Sequence, residues 1–222
     1  MKKVLVIAPH PDDETLGCGG TLLKHKNTGD QICWLTITSI LEAHGFPHHQ
    51  VVEREQEIKQ VAKLYGFNKV YNLDFPTTKL DNIPIGDIIF RIGEVIKSYC
   101  PEVIYIPFSG DVHTDHKVVT NAAISCTKWF RYPFVHKILC YETLSETEFG
   151  IDPSVAAFRP NVFVDISDYF EQKLTIMNAY KSELRDFPFP RSEKAIRALG
   201  LLRGAAIGKN YGEAFMLLKE IL

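Results

Sequence analysis

Lys3-Val4-Leu5-Val6-Ile7-Ala8-Pro9-His10-Pro11-Asp12-Asp13-Glu14 is the stretch that decides the fold. Its first half is a continuous run of β-prone apolar residues without alternation. Such a run reads as a strand covered on both faces, the situation of a parallel sheet flanked by helices. Its second half changes at once to a histidine and three carboxylates. In open α/β sheets ligands bind beyond the carboxyl ends of the strands, so these polar residues fall where a site is expected.

Working outward, the same alternation continues. Thr15 to Lys26 reads as a helix, Ile32 to Thr38 as a strand, and His49 to Tyr65 as a helix stopped by Gly66. Val70 to Leu73 is a third strand and Ile85 to Tyr99 an amphipathic helix. Val103 to Ile106 is a fourth strand, Asp115 to Trp129 a helix, and Lys137 to Tyr141 a fifth strand. Strand–helix alternation gives right-handed βαβ units, so the expected fold class is α/β: a Rossmann-like three-layer sandwich with a mostly parallel sheet in the order 3-2-1-4-5. C-terminal additions follow: a strand at Val162 to Asp165, helices at Tyr169 to Glu183 and Ser192 to Leu202, and Tyr211 to Leu217, which fits a strand or a helix end. The prolines of Phe187 to Pro190 mark a loop, and residues 1–222 read as a single domain.

Composition narrows the functions. The 222 residues are 45% hydrophobic and 23% charged, with a net charge of −2, which offers no basic field for nucleic acid. The apolar run after Lys2 and Lys3 is too short for a signal peptide, and no stretch approaches the roughly 18 apolar residues of a membrane span. Cys18, Cys33, Cys100, Cys126 and Cys140 are an odd, dispersed set, which reads as buried reduced thiols and a cytoplasmic setting.

A second polar cluster, His113-Thr114-Asp115-His116, follows the fourth strand. If strands one and four are neighbours, it faces the first cluster across one crevice. Two imidazoles and one carboxylate commonly hold zinc while leaving positions open for water and substrate. The same donors suit Fe(II) or another divalent metal. The plainer readings are helix-start acids at Asp12, Asp13, Glu14 and Asp115, with His113 and His116 in a solvated loop. Each is reasonable alone; the placement of both clusters after strands of one sheet favours a metal. His44, His48 and His49 read as a mobile loop before a helix rather than a second metal site, and that loop is a candidate lid over the crevice. Gly17-Cys18-Gly19-Gly20 lacks the G-x-G-x-x-G spacing, and the acids before it would repel a phosphate. Cys18 is expected to pack on the sheet, and the aromatic segment Trp129 to Phe134 to be core or an oligomer contact.

His10-Pro11-Asp12-Asp13-Glu14 after an apolar strand resembles the signature of the PIG-L/LmbE superfamily of zinc-dependent N-acetylglucosaminyl deacetylases, and His113-Thr114-Asp115-His116 is similar to its second motif. The likeness continues through Arg54-Glu55, Leu64-Tyr65-Gly66, Asn161 to Ser167 and Ala179-Tyr180-Lys181. The tail from Gly204 to Phe215 resembles members acting in bacillithiol synthesis, which usually have alanine at the Gly212 position. The resemblance implies that His10, Asp13 and His116 bind one zinc ion and that Asp12 is the general base. It implies that His113 stabilises the oxyanion or protonates the amine, that Asp115 orients and charges His113, and that Arg54 contacts the sugar. Glu14 is left as a helix cap. An arginine that precedes the second-motif histidine in some relatives is Val112 here. The implied partner is a small N-acetylated amino-sugar substrate, with homo-oligomers also suggested. Competing readings are an amide hydrolase on another conjugate or a sugar nucleotide, an Fe(II) oxygenase, and a non-catalytic metal- or sugar-binding protein.

Overall fold

In the computed structural model, which describes residues 1–155 and 157–222, every residue of β1 (Lys3–Ala8) after Lys3 is buried. Val4, Val6 and Ala8 enter one apolar core and Leu5 and Ile7 the other, so the strand has no wet face and its sequence no alternation. β1 is central. It pairs in parallel with β2 (Gln31–Ser39) on one side and β4 (Val103–Pro107) on the other. β3 (Lys69–Pro76) flanks β2 and β5 (Lys137–Tyr141) flanks β4, giving the expected 3-2-1-4-5 order.

Two antiparallel strands extend this sheet. β7 (Gly212–Glu220) lies against β5, and β6 (Val162–Asp165) lies against β7, so the ambiguous Tyr211–Leu217 segment is a strand. α1 (Asp13–Asn27), α2 (His48–Tyr65), α5 (Phe170–Met177) and α6 (Glu193–Ala205) contribute to the core on one face. α3 (Ile85–Tyr99) and α4 (Thr114–Ser125) cover the other. Gly66 ends α2 in the left-handed conformation that glycine adopts without strain.

The glycines of α1 serve packing. A Cβ at Gly17 would stand 2.2 Å from Tyr141, and one at Gly20 would stand 2.7 Å from Ile166. Helix and sheet touch there because no side chain intervenes. The helix also breaks at Cys18 (φ −143°, ψ 22°), a buried residue whose thiol meets the Glu14 carbonyl. Beyond the break, Glu213 accepts the freed N–H groups of Gly20 and Thr21 and pairs with buried Lys173 at 2.7 Å.

Some expectations need correction. α4 ends at Ser125 rather than Trp129, because Ser125 and Thr127 hydroxyls donate to the carbonyls of Asn121 and Ile124 where another turn would continue. Within the Trp129 to Phe134 segment, Trp129 and Phe130 are consequently 70% and 61% exposed, whereas Tyr132 is buried in the core and Phe134 packs against it. α5 ends at Met177 rather than Glu183, as the N–H groups of Ala179 and Tyr180 tighten onto carbonyls three residues back. The chain after it returns across the strand ends. Cys18, Cys33, Cys126 and Cys140 are buried free thiols, whereas Cys100 is only half-buried. Among the described residues, no helix is long and apolar enough to cross a membrane.

Candidate active site

Because β1 and β4 are adjacent, the loops leaving their carboxyl ends meet. His10 Nδ1 and His116 Nε2 each stand 3.3 Å from Asp13 Oδ2. The three donors lie within 4.8 Å of one another. A tetrahedral zinc with arms of about 2.0–2.1 Å separates its ligand atoms by about 3.3 Å, so the spacing fits the ion. His116 is almost fully buried, and its Nε2 is not aligned for a hydrogen bond, which suits a nitrogen that ligates a metal.

Each imidazole is held from behind by its own carboxylate. His10 Nε2 lies 3.1 Å from Asp115 Oδ2, and His116 Nδ1 lies 2.7 Å from Asp111 Oδ2. Such partners fix ring orientation and leave the opposite nitrogen free to ligate. Asp111 is held in turn by the Thr147 hydroxyl at 2.6 Å. Burial opposes charge on His10, yet the bonds to Asp115 and Asp13 outweigh it and lift its pKa to about 9. Burial likewise opposes charge on His116, and Asp13 and Asp111 raise it well above the usual histidine range. Asp13 stays far below the ordinary carboxylate range despite its burial, because both rings favour its anion. This floor is built for positive charge.

Asp12 precedes α1 with φ at 140°, a region that residues with a side chain avoid. Its backbone is pinned from both sides. Its N–H donates to Glu14 Oε2 at 3.1 Å, and its carbonyl accepts from Thr15 and Leu16. Glu14 is fully buried; it also accepts from Thr15 Oγ1 and the Tyr180 hydroxyl, and burial lifts its pKa to about 7. The Asp12 carboxyl is raised well above its usual value by burial first and then by the charges of Asp13 and Glu183.

His113 caps α4. Its Nδ1 accepts the Asp115 N–H at 3.1 Å, and its ring packs on His10 with centroids 4.6 Å apart. Burial, then the charges of His10 and His116, push its pKa down to about 4. The expected carboxylate–imidazole contact from Asp115 to His113 is replaced by another. The Asp115 carboxylate accepts from the N–H groups of Thr78 and Leu80 and faces His10, because the connection after β3 folds over it.

Arg54 lines the cavity, but its guanidinium is engaged: it donates to the Pro11 carbonyl, to Ser182 and to Glu183. It thereby braces the His10–Glu14 loop. The cavity, near 260 Å³, is also walled by Ser39, Leu41, Asn72, Glu146 and Arg191. Asp111, Tyr180, Glu183 and Arg191 were not singled out for this site from the sequence. His44 sits in a short turn (Glu42–His44), while His48 and His49 open α2 on its exposed side. Among the described residues, both groups spaced to hold a metal lie in this site and share His10.

Residues 5–127, more than half of the chain, match the family described as PIG-L: GlcNAc-PI de-N-acetylase. Diacetylchitobiose deacetylase of Thermococcus kodakarensis is 28% identical over 237 aligned positions, covering 100% of this chain and 85% of that protein. A probable N-acetyl-alpha-D-glucosaminyl L-malate deacetylase 2 of Bacillus cereus is 25% identical, covering 82% of this chain and 84% of that protein. Among solved structures, the conserved protein TT1542 of Thermus thermophilus superposes with a TM-score of 0.77 at 26% identity, over 100% of this chain and 97% of that one. N,N'-diacetylchitobiose deacetylase of Pyrococcus horikoshii has the same fold, with a TM-score of 0.78 at 24% identity, over 98% of this chain and 84% of that one. With the family pattern spanning β1 to α4 and both polar clusters inside it, this chain belongs to the PIG-L family.

Proposed function

We propose that this protein is a zinc-dependent N-deacetylase that hydrolyses the acetamide of an N-acetylated amino sugar to acetate and a free amine. The observation that carries this reading is the convergence of His10 Nδ1, Asp13 Oδ2 and His116 Nε2 beneath a cavity that Asp12 and His113 also line. The diacetylchitobiose and N-acetylglucosaminyl malate deacetylases among its relatives support the substrate class.

When bound, zinc polarises a carbonyl and lowers the pKa of a coordinated water to about 7. Asp12 accepts the proton that the attacking water gives up. Its burial and its anionic neighbours keep that carboxyl basic enough for the task. The same proton then passes from Asp12 to the departing nitrogen, so the base is restored with each turnover.

His113 acts as a neutral donor. Its Nδ1 is occupied by the Asp115 N–H, which leaves the ring proton on Nε2. From there it donates to the acetyl oxygen as negative charge gathers on it. Asp115 and Asp111 hold the two ligand imidazoles, and Arg54 steadies Pro11 beside the base.

Primary-amine release from a panel of N-acetylglucosaminides tests the assignment. Zinc-loaded protein should release amine, chelated protein should not, and Asp12→Asn should lose about 10²- to 10⁴-fold in kcat while retaining its zinc. Full zinc occupancy with no amine released from any N-acetylated sugar would falsify the proposal.

A further inference from the structure

We infer that this site selects an uncharged glycan over an N-acetylglucosamine conjugate bearing a carboxylate or phosphate. The inference rests on the deacetylase reading above and concerns what lies beyond the acetamide.

Around the metal-binding floor, the cavity wall carries the carboxylates of Glu55, Asp74, Glu146 and Glu183 against the guanidiniums of Arg54 and Arg191. Lys59 Nζ lies 3.4 Å from Glu55 Oε2 beside the cavity, and with that cation counted the four carboxylates still outnumber the three cations. No lysine lines the cavity among the described residues.

Both guanidiniums are already committed. Glu183 joins them: Arg54 Nη2 donates to its Oε1, and Arg191 Nη2 lies 3.0 Å from its Oε2. Arg54 also donates to Pro11 O at 2.9 Å and to Ser182 Oγ at 2.9 Å, with Nε 3.4 Å from Glu57 Oε2. Arg191 also donates through Nε to the Glu183 carbonyl and through Nη1 to Ser145 Oγ, each at 3.3 Å, so each of its three nitrogens already has a partner. A carboxylate or phosphate is recognised by the free fork of a guanidinium or by a free ammonium. Here an anionic substrate would compete with Glu183 for these nitrogens and would face the other carboxylates while doing so.

What the wall does present suits hydroxyl groups. Asn72 and Asp74 hold Ser39 between them, with Ser39 Oγ 2.9 Å from Asp74 Oδ1, and both are acceptors that a sugar hydroxyl can reach from the cavity. Ile40, Leu41, Val51 and Ile58 add apolar surface for the face of a ring. Neutral, hydroxyl-rich and flat on one side is the description of a saccharide.

The test compares kcat/KM of the zinc-loaded protein on two neutral substrates, methyl N-acetylglucosaminide and N,N'-diacetylchitobiose, and two anionic ones, the malate glycoside and the uridine-diphosphate sugar. We expect the neutral pair to be preferred by at least about tenfold at low salt. The gap should narrow as ionic strength rises towards about 1 M, where charges are screened within about 3 Å. Glu55→Lys should narrow it at low salt by raising the anionic pair relative to the neutral pair. Equal or better turnover of the anionic pair overturns the inference and leaves the deacetylase standing. A neutral preference unmoved by salt and by Glu55→Lys also overturns it, since steric fit would then be the cause. Amine release from none of the four overturns the deacetylase reading itself.

Discussion

Asp111 is the residue whose part in the site is most easily separated from chemistry. It is fully buried, touches His116 through one oxygen and Thr147 through the other, and does not line the cavity. Asp111→Asn should weaken zinc binding about 10- to 100-fold, read by competition with a coloured chelator, while zinc-saturated protein keeps most of its kcat. Unchanged zinc affinity would show that His116 needs no support from behind. The sequence hid Asp111 because Ser109-Gly110-Asp111 looks like any turn. His10, Asp12, Asp13, His113, Asp115 and His116 were legible because each sits beside others of its kind, in the segment that follows a strand. Glu183 and Arg191 were not, since their loop reaches the site only once α5 has stopped early. The partner of Asp115 was misjudged for a related reason: nearness along the chain suggested His113, but the carboxylate goes to the N–H groups that the fold brings to it.

At the scale of elements, α1 carries most of the constraint. It must leave β1 at Asp12, keep Asp13 over the floor and still lie flat on Tyr141 and Ile166. Gly17→Ala drives a methyl group into the Tyr141 ring, and overpacking of this kind costs about 1–3 kcal/mol. For a chain of this size that corresponds to a melting temperature lower by about 2–12 °C, measurable by calorimetry. The far end of the helix reports on pH. His25 is held by Asp30 at 2.8 Å and Tyr105 at 2.9 Å, and burial, its largest influence, keeps its pKa below 6.5 in the folded state. The unfolded chain therefore binds a proton that the folded one refuses. Stability contributed by neutral His25 is complete above about pH 6.5 and declines as pH falls from there towards the folded value. In denaturant titrations between about pH 7.5 and 5, wild type should lose more stability, or gain less, on acidification than His25→Gln; an equal pH dependence in both proteins would exclude this role for His25. The glycine run was read only for the phosphate loop it does not form, and the helix ends at Ser125 and Met177 were missed because side-chain hydrogen bonds and tight turns leave no periodic signature.

For the whole molecule, the parallel half was legible from its alternation alone, since strands buried on both faces and long helices between them admit few arrangements. The antiparallel half was harder. β6 has four residues, all half-buried, and β7 changes from buried to half-wet along its length, so neither shows a clean period. The two ligand loops leave adjacent strands, β1 and β4, and a metal that bridges them ties the β3-β2-β1 side of the sheet to the β4-β5 side. Zinc at about 100 times its dissociation constant should add about 2.7 kcal/mol to stability, raising the melting temperature by about 5–11 °C. Chelation should reverse the shift in wild type. A protein with both His10→Ala and His116→Ala should show none, and a shift in that variant would place the zinc elsewhere.

The position of β7 between β5 and β6 has a consequence for how the protein comes into being. β6 is made before α5, α6 and β7, yet β7 is its one neighbour in the sheet. While the ribosome is still translating residues 166–211, the nascent chain carries a finished β5 whose outer edge is bare and a β6 with nothing to join. Open edges of this kind are where chains stick to one another. The hazardous interval for this protein is therefore its own synthesis, and pulse-labelled refolding should show β6 and β7 gaining protection in one late step, after β1 to β5.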